Sequence, residues 1–158
     1  IPNNPLLARS VLVVARRACG LLGEKPLVLL NYLEGTRFTK AKHTAQKSPY
    51  KHLLKPKAGG FALAISSLGE QIDGILDMTL VYPDGAPEYS DLWQGKLTRL
   101  GVDIRHIKME DDLFNALKNG EYDSNDDVKA KLFSWLDETW KAKDARINEM
   151  LAEFDSTT

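Results

Sequence analysis

The sequence predicts an α/β fold: a mixed, largely parallel sheet with flanking helices and a long C-terminal helix. Three observations predict it. Apolar runs at 27–33, 72–82 and 102–109 alternate with segments of helical periodicity, the order that builds sheets covered by helices. The first run, Leu27-Val28-Leu29-Leu30-Asn31-Tyr32-Leu33, is almost continuously apolar, as in a strand covered on both faces. Val128, Leu132, Trp135, Leu136, Trp140, Ile147, Leu151 and Phe154 recur near helical spacing, which makes one final helix of roughly 40 Å at about 1.5 Å per residue.

The other elements follow in order. Residues 6–22 carry Leu7, Val11, Val14, Ala15, Ala18, Leu21 and Leu22 on helical spacing, and Gly23 ends that amphipathic helix. Pro26 precedes the first strand, whose far end runs into Glu34-Gly35-Thr36-Arg37. Residues 38–57 show no periodicity and read as a long loop, a length that is usually functional or disordered. Gly59-Gly60 opens a helix over Ala58–Leu68. The second strand, 72–82, ends at the turn signal Pro83-Asp84-Gly85. Tyr89, Leu92 and Trp93 form a short helix or turn, and the more polar third strand, 102–109, lies nearer an edge. A short helix at 110–118 precedes Ser124-Asn125-Asp126-Asp127, a capping signal for the final helix. Trp93, Trp135 and Trp140 are expected to pack within the fold.

Composition narrows the function. The 158 residues are 43% hydrophobic, with three Trp, five Tyr and five Phe, enough for a core. No apolar run reaches the ~18 residues of a membrane-spanning helix. The single cysteine, Cys19, excludes a disulfide framework and a multi-Cys zinc site, and it reads as a small core hydrophobe. The chain opens Ile1-Pro2-Asn3-Asn4 without Met or a signal-peptide pattern, so it is expected to be a piece of something longer.

Net charge is −1, but 35–69 contains no acid and seven cations: Arg37, Lys40, Lys42, Lys47, Lys51, Lys55 and Lys57. Residues 110–127 are acidic apart from Lys118 and read as a solvated face. A near-neutral chain with one basic segment suggests a local anionic ligand. Nucleic acid is not an expected partner, because the chain is not basic overall and the segment's aromatics are only Phe38, Tyr50 and Phe61. His43 and His52, with no carboxylate in their segment, make a poor metal site, and no metal or cofactor is expected.

The strongest local signal is Glu34-Gly35-Thr36-Arg37 at the C-terminal end of the first predicted strand, where open α/β sheets bind ligands. Gly35 admits close backbone approach. Arg37 offers a fork of donors to phosphate or carboxylate, and Glu34 can hold that guanidinium in place. The same four residues also fit an ordinary strand-to-loop turn with a surface ion pair.

Tyr32-Leu33-Glu34-Gly35-Thr36-Arg37-Phe38-Thr39, then Lys42, Ser48, Leu53-Leu54-Lys55-Pro56-Lys57-Ala58-Gly59-Gly60-Phe61 and Leu76-Asp77-Met78-Thr79-Leu80-Val81-Tyr82, resemble the glycerolipid acyltransferase family. Its best-known members are the 1-acylglycerol-3-phosphate acyltransferases, and the closer likeness is to a bacterial branch. Similarity continues through Trp93, Gly95, Trp135, Trp140 and Lys143-Asp144-Ala145-Arg146-Ile147, nearly the whole chain.

The resemblance implies transfer of an acyl group from acyl-CoA or acyl-carrier protein to the hydroxyl of a lysophospholipid, with no cofactor. It assigns Glu34, Gly35, Thr36 and Arg37 to the acceptor phosphate and matches the family's lysine with Lys57, beside Gly59 and Gly60. It also implies a membrane surface as partner and, for the intact protein, the cytoplasmic face of a bacterial inner membrane. Lys40, Lys42, Lys47 and Lys51 of the basic segment fit contact with anionic lipid headgroups and equally fit a soluble mobile loop.

The family's catalytic His-x-x-x-x-Asp lies upstream of Glu-Gly-Thr-Arg, yet residues 1–33 contain no His. The second motif with its own Arg is not recognisable, and 73–82 lacks the proline of the fourth. The chain is therefore expected to be the C-terminal portion of a single, incomplete acyltransferase domain with no catalytic residue of its own, or else a degenerate relative of the family. His106 and Asp111 match the motif's spacing but lie downstream, on a predicted strand and in an acidic cluster. The alternative is a non-catalytic phosphate- or lipid-headgroup-binding module. The run 27–33, expected as a central strand needing neighbours, should pair on at least one side, with self-association through the exposed sheet or cover from residues 6–22.

Overall fold

The computed structural model describes residues 28–156; the helix expected at 6–22 and Leu27 lie outside them. The described chain is mixed α/β. Its elements are α1 (Lys40–Gln46), α2 (Ala58–Leu68), β1 (Ile75–Val81), α3 (Tyr89–Trp93), β2 (Gly101–Ile107), α4 (Asp111–Lys118) and α5 (Asp126–Ser156). Short 3-10 turns stand at Gly69–Gln71 and Glu121–Asp123. The described residues form two compact units, one from 28–37 with Pro56–Asp73 and Met109–Leu136, the other from Phe38–Lys55, Gly74–Lys108 and 137–156.

In the first unit α2 buries Ala58, Phe61, Ala62 and Ile65, spaced three or four residues apart on one face. Leu113 and Leu117 of α4 and Val128, Leu132 and Leu136 of α5 are buried in the same unit, and Phe61 stacks on Trp135 with ring centres 5.5 Å apart. The α5 start is capped as expected: the Asn125 side-chain oxygen accepts from the amides of Asp127 (3.1 Å) and Val128 (3.3 Å). The acidic side chains of α4 and of the α5 first turn are exposed, as a solvated face requires.

In the second unit β1 and β2 pair antiparallel, with Met78 opposite Ile104 and Asp77 opposite Arg105. The later part of α5 packs beside this pair. Gly101 is needed there, because a Cβ on it would stand 2.9 Å from the Phe154 ring and 3.0 Å from Met150 Cε. Residues 48–55 are pinned to the same helix. The Asp144 carboxylate accepts the amides of Lys51 (2.8 Å) and His52 (2.7 Å), and Trp140 Nε1 donates to the Leu54 carbonyl at 3.0 Å. The buried Tyr50 hydroxyl donates to Asp137 at 2.7 Å. Burial first, then this hydrogen bond, pushes the Tyr50 phenol up, while Lys141 and then Tyr50 hold the Asp137 carboxyl below its usual range.

Four expectations need correction. The described sheet is not largely parallel: it has two antiparallel strands. The connection between them carries only the five-residue α3, too short for the helical crossover that parallel strands require. Residues 28–33 are not a strand. Val28 is 91% exposed, and no described strand pairs with the run. Apolarity alone does not make a strand, whose amides and carbonyls need a neighbouring backbone. The supposed loop 38–57 holds α1, capped by Thr39 Oγ1 accepting from the Lys42 amide at 3.2 Å. That helix buries no residue, so it lacks the periodicity that betrays helices. Finally Trp93 is 76% exposed rather than packed.

Replacing Asp144 by Ala strands two amides and should destabilise the chain by about 1–3 kcal/mol in urea denaturation. Asp155→Ala, in the exposed last turn of α5, should change stability by less than about 0.5 kcal/mol.

Candidate functional site

The site begins with a turn. The Gly35 amide donates to the Tyr32 carbonyl at 2.9 Å, and Gly35 takes φ +65°, a left-handed conformation that favours glycine. One residue after Tyr32, the Leu33 carbonyl accepts the Lys57 amide at 2.8 Å. That bond joins the turn to the start of α2, because Lys57 is its N-cap residue.

The Lys57 side chain then lies over the turn. A Cβ on Gly35 would stand 2.9 Å from Lys57 Nζ and 3.1 Å from its Cδ. The ammonium thus occupies the space that any other residue at position 35 would fill. No side chain caps α2, and its first turn holds no acid. Lys57, whose exposed ammonium lies over Gly35, is thus also the residue at which the uncapped α2 begins. Gly60 faces open space, with nothing within 4 Å of a Cβ there, while Gly59 lies 3.8 Å from the Tyr122 ring on the same measure.

The structure therefore brings Gly35 and Lys57 together, although they are far apart in sequence. Glu34 is half-buried, while Thr36 and Arg37 are exposed. Each of these three has an interaction partner of its own. Lys40, Lys42 and Lys47 are exposed, whereas the Lys51 ammonium is engaged by Asn148 at 3.0 Å. His43 Nε2 lies 2.6 Å from the Tyr50 carbonyl, and His52 Nε2 lies 2.9 Å from Asn148 Oδ1. Both rings therefore hold the 48–55 segment. His106 sits in β2, with its Nε2 2.8 Å from where a Gly74 Cβ would be.

One group of residues was not singled out from sequence. On the strands and α5, Asp77 pairs with Lys143, and Asp103 pairs with both Arg105 and Arg146. Hydrogen bonds to Glu153 and Glu149 hold the Arg146 guanidinium more firmly charged still. The signal for them is the alternation of Asp77 and Thr79 with Leu76, Met78 and Leu80, which marks two unlike faces on one strand.

No family model matches the chain, and no solved structure gives a significant match. Among curated proteins, 1-acyl-sn-glycerol-3-phosphate acyltransferase 2 of Brassica oleracea is 28% identical over 138 residues, 81% of this chain and 32% of that protein. The delta form from Mus musculus is 30% identical over 131 residues, 77% of this chain and 31% of that protein. The chain is distantly similar to 1-acyl-sn-glycerol-3-phosphate acyltransferases. The delta form from Homo sapiens agrees, at 30% over 125 residues, covering 73% of this chain and 30% of that protein.

The chain thus spans about a third of the length of the curated relatives it matches. These relatives are from a plant and from mammals, and they lend no support to a bacterial inner-membrane location. Among the described residues no helix is long and apolar enough to cross a membrane.

The Gly35–Lys57 packing is testable by a double-mutant cycle. Gly35→Ala should destabilise the chain through both left-handed strain, about 1–2 kcal/mol, and displacement of Lys57. In a Lys57→Ala background only the strain should remain, so the cost read by denaturation should fall.

Proposed function

We infer that residues 1–158 are the C-terminal, acceptor-binding portion of a single acyltransferase domain. The reaction served is transfer of an acyl group from acyl-CoA or acyl-carrier protein to a lysophospholipid such as 1-acylglycerol-3-phosphate. The observation that carries this reading is that Lys57, the N-cap residue of the uncapped α2, folds its ammonium over Gly35. The similarity to 1-acyl-sn-glycerol-3-phosphate acyltransferases supports it independently.

In this reading the acceptor phosphate takes Lys57 as a point charge and Arg37 as a fork of donors. Glu34 orients the guanidinium, and Gly35 and Thr36 bring backbone close to the oxyanion. Binding the phosphate fixes where the acceptor hydroxyl stands, which converts a two-body encounter into a positioned attack on the thioester. The hydroxyl proton needs a base, and residues 1–33 offer no His to match the family motif. This chain therefore contributes binding and orientation, with proton removal supplied from elsewhere. Lys40, Lys42 and Lys47 lie exposed in the acid-free segment and suit an anionic membrane surface, at about 1 kcal/mol each near such a surface.

The absence of that His also favours a second reading, a phosphate- or headgroup-binding module without catalysis. The coding sequence upstream separates the two. An in-frame His-x-x-x-x-Asp there supports the acyltransferase, and a start codon with no such motif supports the module.

Both readings predict the same binding result. Arg37→Ala should weaken calorimetric binding of a phosphate-bearing acceptor analogue by about 1.5–3 kcal/mol, as for a charge-assisted hydrogen bond. Lys118→Ala, in the acidic stretch, should leave it unchanged. Equal losses in the two variants at one salt concentration would contradict the site.

A further inference from the structure

Along β1 and β2 the side chains alternate between two unlike faces. Asp77 and Asp103 turn toward α5, where Lys143 Nζ donates to Asp77 Oδ1 at 2.6 Å and Arg146 Nε to Asp103 Oδ1 at 3.3 Å. The opposite face sets Leu76, Met78 and Leu80 across from His106, Ile104 and Val102. All six are exposed, and no Asp, Glu, Lys or Arg stands among them. An antiparallel sheet with one wet face ordinarily keeps its apolar side chains on the covered side. Here the covered side holds ion pairs and the bare side is the apolar one, the mark of a docking surface.

We propose that this bare face is where the part of the acyltransferase domain upstream of residue 1 packs, through the apolar side of a helix. The proposal rests on reading residues 1–158 as the C-terminal portion of that domain. The chain spans about a third of the length of its curated relatives, so those proteins carry further chain to serve as the partner. Apolar residues stand bare in the other unit too, at Val28 and Leu30, as in a core whose remaining part is missing. Each strand has seven residues, about 24 Å at ~3.4 Å apiece, which matches a helix of about 16 residues. A second copy is a poorer occupant. Two strands about 4.8 Å apart make a strip only about 10 Å wide, whereas a stable interface takes about 800 Å² from each partner. A segment tethered in the same chain needs less, because linkage supplies its effective concentration. An anionic membrane is poorer still, because the face offers it no cation.

The test is methionine oxidation by dilute peroxide, read by mass spectrometry on residues 1–158 and on the protein expressed from its full coding sequence. Met78 on the bare face is 49% exposed and Met150 only 5%, so the chain carries its own fast probe and a slow reference that reports the fold. Met78 should oxidise quickly in residues 1–158 and at the slow rate of Met150 in the full-length protein. Ile104→Glu should leave the thermal midpoint of residues 1–158 unchanged and lower that of the full-length protein by several degrees. A Met78 that stays fast in the full-length protein, or a full-length midpoint indifferent to Ile104→Glu, overturns the proposal. Protection of Met78 in residues 1–158 that grows with chain concentration overturns it in favour of a second copy. Protection that needs added phosphatidylglycerol vesicles overturns it in favour of lipid. A full coding sequence with nothing upstream of residue 1 overturns the proposal and the C-terminal reading together. Acyl transfer by the full-length protein separates the rest: turnover with a fast Met78 overturns the proposal alone, and a protected Met78 without turnover overturns the acyltransferase reading alone.

Discussion

The hydrogen bond from the Lys57 amide to the Leu33 carbonyl, 2.8 Å long, is the constraint on which the candidate site depends. It joins an exposed turn to the N-cap residue of a helix whose other face is core. Phe61, Ala62 and Ile65 are buried on α2, and that burial fixes where the helix begins. The turn then fixes Gly35 in a left-handed conformation, and the missing Cβ leaves the space that the Lys57 side chain takes. Apolar packing thus sets the place of a charge. The hydrogen bond alone contributes only about 0.5–1.5 kcal/mol net, far less than the core face behind it.

The second unit follows a different rule. Its loop is held by side chains of α5: Asp144 takes two backbone amides, Trp140 one carbonyl and Asp137 a phenol. Its sheet meets that helix through ion pairs at Lys143 and Arg146 as well as through the close packing of Gly101 on Met150 and Phe154. The strand face with the most hydrophobic side chains is the exposed one, and of the apolar residues of β1 and β2 Val81 is the one that joins the described core.

The sequence made some of this legible. The helix at Ala58–Leu68 and the five-residue helix at Tyr89–Trp93 were readable because apolar residues mark them. The long final helix was readable because its stripe runs for many turns. α1 was hidden because it buries nothing and its evidence is a Thr39 cap rather than a pattern. Residues 28–33 misled because continuous apolarity reports composition, whereas strand formation depends on a partner edge. The direction of the sheet was misread because strands alternating with helices do not say which strands pair. In the site, Gly35 and Lys57 were both named from sequence, but their contact needs the fold. The Asp77–Lys143 and Asp103–Arg146 pairs went unread because each joins residues that lie far apart in the chain.

The central claim is that the Gly35 turn and the start of α2 form one phosphate cradle. Backbone amide NMR of the isotopically labelled chain during titration with glycerol 3-phosphate tests it most directly. The account predicts that the amides of Gly35, Thr36, Ala58, Gly59 and Gly60 shift together with one dissociation constant, and that Lys57→Ala abolishes those shifts. Unmoved amides at 35–36 and 58–60 at saturating ligand would contradict it.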